Sequence, residues 1–126
     1  MRAVDTNVLV RLIVRDDPRQ TASAETFVMP GAWVSHVVLV ETVWVLSSVY
    51  DRTHKQIWRA IEMILEHDRL TIDQPEVVAG ALESYKNRPR VRFSDCIILE
   101  LARRSGNLPL GTFDKSLAKL SGSEKL

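Results

Sequence analysis

Four acidic side chains stand at points where the sequence turns from apolar to chemically capable. Asp5 follows Arg2-Ala3-Val4, Asp95 follows Phe93-Ser94, Asp114 follows Thr112-Phe113, and Glu41 lies inside the apolar run from Val37 to Leu46. A group of carboxylates can hold a hard divalent cation, whereas a single carboxylate more often caps a helix or pairs with a cation. Taken singly, Asp5, Asp95 and Asp114 all read as residues at helix starts, where backbone N–H groups and the positive end of the helix dipole favour an acid. Glu41 is different. On a helix its neighbours three and four positions away are Val37, Val38, Trp44 and Val45, all apolar. A helix apolar nearly all round is expected to be buried, and a buried glutamate needs either an arginine partner or a metal. These readings alone give an α/β domain with room for an acidic pocket.

The elements that would position these acids alternate in type. Arg2-Ala3-Val4 reads as a strand leading into Asp5, and Val8 to Val14 as a helix opened by Thr6-Asn7. Asp17-Pro18 starts a second helix, with proline at its first position, running to about Met29. A buried strand over Ala32 to Ser35 precedes a long helix from His36 to about Tyr50. Residues 53–67 form an amphipathic helix with Ile57, Ile61, Ile64 and Leu65 on one face. Leu70 to Ile72 is a strand, and Gln74-Pro75 opens a helix to about Lys86. After a basic loop, Ser94 or Asp95 starts a helix ending at Ser105-Gly106. Leu108 to Thr112 is a strand, Asp114 to Leu120 a short helix, and the polar tail from Ser121 to Leu126 leaves a last strand open. Alternating strands and helices predict a parallel sheet of four to five strands with helices on both faces. Ligands of such sheets bind beyond the carboxyl ends of the strands, where Asp5 and Asp114 fall.

Bulk properties narrow the function class. The 126 residues suggest one domain, spanning 1–126, with a core large enough to need no covalent staple. Hydrophobic residues make up 45% and charged residues 26%, as in a soluble globular protein. The lone Cys96 excludes an internal disulfide and fits a cytoplasmic location. There is no signal-peptide pattern, and the most apolar stretch, Val34 to Val49, is broken by His36, Glu41 and Thr42, so no membrane role is expected. The five glycines form neither a GxGxxG nor a Walker A pattern, which argues against a nucleotide cofactor. His36, His54 and His67 have no zinc-motif spacing with Cys96. The net charge of +1 is unevenly spread: residues 1–85 carry 8 Lys/Arg against 12 Asp/Glu, and residues 86–126 carry 9 against 4. That asymmetry suits a polyanionic ligand on one side, or is a chance division of a near-neutral surface.

Four segments in order make a more specific signal. Asp5-Thr6-Asn7-Val8-Leu9-Val10-Arg11, Val38-Leu39-Val40-Glu41-Thr42-Val43-Trp44-Val45-Leu46, Phe93-Ser94-Asp95-Cys96-Ile97-Ile98 and Thr112-Phe113-Asp114-Lys115 resemble the four acidic motifs of PIN-domain ribonucleases. Order, spacing and length resemble the VapC toxins of type II toxin–antitoxin pairs over essentially the whole chain. Ser94 and Cys96 stand where that family more often has small apolar residues. The resemblance implies a PIN-like α/β fold, a divalent-metal-dependent endoribonuclease, and a homodimer held silent by a VapB-type antitoxin. It implies that Asp5, Glu41, Asp95 and Asp114 form one acidic site for Mg²⁺ or Mn²⁺, with Asp5 and Asp95 in direct contact with the metal. Crowded carboxylates repel, so at least one should have a raised pKa without metal. Asn7 and Thr112 would orient the carboxylates, unless they serve only local turns. Arg88, Arg90, Arg92 and Lys115, with Lys86 and Lys119 nearby, would hold RNA phosphates, unless they are merely solvated loop charge.

Two rivals remain. A haloacid-dehalogenase-type phosphatase also begins with an aspartate after strand one, but needs a second acid two residues on, where this chain has Asn7. A non-catalytic PIN-like RNA-binding module would not need all four acids.

Overall fold

Ala32-Trp33-Val34 illustrates how short the strands are and how they are specified: successive side chains are buried, exposed, buried, the period-two pattern of a pleated strand. Leu70-Thr71-Ile72 repeats the pattern. In the computed structural model, which describes residues 1–126, these segments are β2 (Ala32–Val34) and β3 (Leu70–Ile72), joined by β1 (Arg2–Ala3). All three are parallel in the order β1-β2-β3, with Ala3 opposite Trp33 and Ala32 opposite Leu70.

The chain divides into two compact units, Met1–Pro75 and Glu76–Leu126. In the first, β1 leads into α1 (Thr6–Val14), which is followed by α2 (Pro18–Val28), and β2 leads into α3 (His36–Ser48), which is followed by α4 (His54–Glu66). Every one of these starts is capped by a side chain. Asp5, Asp17, Ser35 and Thr53 each accept a hydrogen bond from a backbone N–H of the first turn, and Thr53 with Gln56 completes a capping box. Leu9, Val10, Val34, Leu39, Leu46 and Ile61 are almost wholly buried and form its core.

The second unit holds most of α5 (Pro75–Asn87), then α6 (Phe93–Arg104), β4 (Leu110–Thr112), a single 3-10 turn at Leu117–Lys119, and β5 (Ser123–Lys125). Val77, Val78, Phe93 and Cys96 are among its most buried side chains. The Phe93 ring meets that of Tyr85 edge-on, 5.6 Å between centroids.

Three expectations need correction. The single sheet of four to five strands is two separate parallel sheets, of three and two strands. The polar tail forms β5 and pairs with β4, with Leu110 N–H donating to Gly122 O at 2.8 Å and Leu126 N–H to Thr112 O at 2.9 Å. The helix expected from Ser94 or Asp95 begins at Phe93, after Arg92, which supplies no side-chain cap. Burial of the Phe93 ring fixes that start where a polar cap was expected. The short helix expected over Asp114 to Leu120 shrinks to the 3-10 turn.

Candidate functional site

Asp5 leaves β1 and caps α1. Its Oδ1 accepts the backbone N–H of Thr6 at 2.7 Å. Thr6 is buried, and its hydroxyl donates to Glu41 Oε1 on α3. One residue thus ties together the two candidate acids of the first unit, which lie 36 positions apart in the chain. The parallel pairing of β1 with β2 explains why this is possible. It delivers both helix starts, after Asp5 and after Ser35, to the carboxyl ends of neighbouring strands.

Glu41 is nonetheless exposed, which overturns the expectation of a buried glutamate. The buried side of α3 is Leu39, Thr42 and Leu46, with the Thr42 hydroxyl turned back to Val38 O at 2.7 Å. Val37 and Trp44, four before and three after Glu41, are 76% and 65% exposed. A helix apolar on every side carries no periodicity to say which side packs, and here only one does. The carboxylate therefore needs no buried arginine.

Asp95 lies in the first turn of α6 and is half-buried. Burial raises its pKa above the ordinary carboxylate value, the charge of Asp114 raises it further, and Arg92 pulls it back. Asp114 is exposed and held in a tight turn. Its N–H donates to Thr112 Oγ1 at 3.0 Å, and its Oδ1 accepts the N–H of Leu117 at 2.9 Å. The acids of the second unit are thus close enough to repel.

Thr112 is engaged in this local turn, the plainer of the two roles it could have had. Asn7 is exposed on the first turn of α1. Arg88, Arg90, Arg92 and Lys115 are all exposed, as a phosphate-binding surface requires. Cys96 is buried, and burial with the nearby Asp95 charge pushes its thiol up to about 12. It therefore stays protonated at neutral pH.

The buried glutamate is Glu100, which its sequence neighbourhood did not single out. It pairs with Arg103 Nε and Arg104 Nε, each at 3.3 Å. Its carboxylate presses on α5 where Gly80 leaves room: a Cβ there would stand 2.7 Å from Oε2. Two arginines three and four residues on were the available signal. Thr6 was likewise passed over as a possible cap, because nothing in sequence marks contact with a residue so far away.

Neither unit gathers three or more His, Cys, Asp or Glu side chains into a cluster that could hold a metal ion by itself. Asp5 and Glu41 belong to the first unit, Asp95 and Asp114 to the second. A groove of about 510 Å³ in the first unit is lined by apolar residues such as Leu9, Ile13, Val28 and Met63 and holds none of the four acids.

Residues 2–123 match the sequence model of the PIN domain. Proteins of that family are generally nucleases, generally use divalent metal ions and often act in toxin–antitoxin systems. No curated protein and no solved structure is similar enough to this chain to count as a match. No helix is long and apolar enough to cross a membrane.

Proposed function

The chain belongs to the PIN-domain family, and from that premise we propose that it is a Mg²⁺- or Mn²⁺-dependent endoribonuclease in which Asp5, Glu41, Asp95 and Asp114 serve one reaction. The observation that carries the reading is the setting of Asp95, half-buried in the first turn of α6, where burial and, less strongly, the charge of Asp114 disfavour its ionised form. Structural carboxylates are ordinarily placed so that neighbours favour their charge; here an acid is held where another acid disfavours it.

A bound divalent cation would supply an activated water and neutralise charge developing on the phosphate. The chain's own residues have the following parts. Asp5 and Asp95 offer carboxylates for direct contact. Glu41 and Asp114 complete the set or hold waters, each carboxylate fixed at one oxygen by Thr6 or by the Leu117 N–H. Asn7 orients the carboxylates from alongside, and Thr112 holds the backbone of Asp114 through that residue's N–H. Arg88, Arg90, Arg92 and Lys115 hold the RNA backbone on either side of the cut. The resemblance to VapC toxins supports a finer reading: a cytoplasmic toxin, homodimeric and silenced by a VapB-type antitoxin.

The test is cleavage of a labelled RNA by the purified protein with Mg²⁺ and with excess EDTA, alongside Asp5→Asn. Cleavage that needs Mg²⁺ and disappears in the folded variant supports the proposal. Undiminished cleavage by Asp5→Asn refutes it. Binding of RNA without cleavage in any metal would make the chain a non-catalytic module.

A further inference from the structure

Phe113 is 79% exposed, as open to solvent as the chain's first residue, although it stands between two structurally fixed neighbours. Thr112 is the last residue of β4 and accepts the Leu126 N–H. Asp114 is fixed by its hydrogen bonds to Thr112 Oγ1 and from the Leu117 N–H. The backbone that carries the ring is therefore pinned on both sides while the ring itself is left largely in water. An aromatic side chain left in water from a rigid support forgoes the burial that normally stabilises it, so folding does not account for its placement.

Its surroundings indicate what it would meet. Asp114 is the next residue, and Lys115, exposed, follows it. An open aromatic face, a carboxylate and a cation thus stand side by side at the end of β4. Aromatic faces interleaved with cations are how single-stranded nucleic acids are held: bases stack on the rings, and phosphates meet the Lys and Arg side chains.

We propose that Phe113 is a stacking platform for an unpaired base of the RNA substrate, next to the bond that is cut. The inference rests on the ribonuclease reading above and sharpens it: the substrate must present an unstacked base, in a single strand, loop or bulge. Base-paired RNA offers no free face for the ring.

The test is binding of a fluorescent single-stranded oligoadenylate of about twelve nucleotides, in EDTA so that no cleavage occurs, by the full chain and three variants. Phe113→Ala should weaken binding by roughly 5- to 100-fold, the range typical of losing one base–aromatic stack. Phe113→Leu keeps apolar bulk but has no aromatic face and should lose nearly as much. Phe113→Trp should bind at least as well as wild type. Thermal melting should be unchanged in all three, since the ring is exposed. Wild-type affinity in the Ala or Leu variant would overturn the proposal. So would a changed sedimentation coefficient with unchanged RNA affinity, which would make the ring a protein contact. If wild type cleaves RNA with Mg²⁺ but Phe113→Ala binds normally, only this inference fails. If wild type neither binds nor cleaves RNA, the ribonuclease reading fails with it.

Discussion

Thr6 donates its hydroxyl hydrogen bond to Glu41 Oε1, so the first residue of α1 fixes a carboxylate on α3. Thr6 is buried and Glu41 is exposed, so the threonine supplies the order and the glutamate supplies the open oxygen. Thr6→Val removes the hydroxyl at nearly constant volume. The expected stability cost is small, about 1 kcal/mol for one hydrogen bond. The expected loss of Mg²⁺-stimulated cleavage is larger, roughly tenfold, because a wandering carboxylate orients nothing. Thr6→Ser should retain activity. A Mg²⁺ titration of cleavage rate for the three proteins decides it; equal rates in all three would remove Thr6 from the account.

The Asp95–Asp114 pair makes a pH-dependent prediction. Asp95 holds its proton to a higher pH in the folded protein than in the unfolded chain. Between those two values the native state binds the extra proton, so stability falls as pH rises through that window and stays lowered above it. Asp114→Asn removes the repulsion and keeps an oxygen for the Leu117 N–H. The metal-free variant should therefore melt a few degrees above wild type at pH 7. The gain should vanish at pH values low enough for Asp95 to hold its proton. Matching melting curves at pH 7 would show that the two charges do not meet.

Arg103 links α6 to the tail. Its Nε pairs with the buried Glu100, and its Nη2 donates to Ser121 O at 2.6 Å, ahead of β5. β5 in turn pairs with β4, whose end carries Thr112 and leads to Asp114. Arg103→Ala should cost about 2 kcal/mol, since it removes a hydrogen bond and leaves a buried carboxylate with one partner fewer. Hydrogen exchange should quicken at the Leu110 and Leu126 amides before it does in α6. Uniform exchange in wild type and variant would mean that the tail does not depend on this arginine.

How far the sequence reached can be judged from particular residues. Asp5 and the order of helices were legible because caps and apolar periodicity are local signals. Asp114 accepts the Leu117 N–H as a cap would, but the turn that follows is only Leu117–Lys119 and its N-cap is Ser116. Glu41 misled because its apolar neighbours implied burial, whereas burial depends on which side of α3 finds a partner. Glu100 went unnoticed for the converse reason: its close approach to Gly80 comes from tertiary packing of α5 and α6. The division into two sheets was out of reach because β5 is polar, and its pairing is held by backbone bonds that any sequence can make.

The basic residues predict a salt effect. Arg88, Arg90 and Arg92 are exposed ahead of Asp95. If all three meet phosphates, replacing them with glutamine should lower the slope of log affinity for RNA against log salt by roughly 2, taking 0.7 per contact on a single strand. Affinity measured from low to physiological salt reads this directly. An unchanged slope would place the RNA elsewhere.

The central claim is that carboxylates from both halves of the sequence serve one metal-dependent activity. Mn²⁺ binding, followed by calorimetry on wild type, Asp5→Asn and Asp95→Asn, tests it most directly. Each substitution alone is predicted to weaken the same binding event at least tenfold while the far-ultraviolet circular dichroism stays native. Undiminished Mn²⁺ affinity in both folded variants would contradict the account.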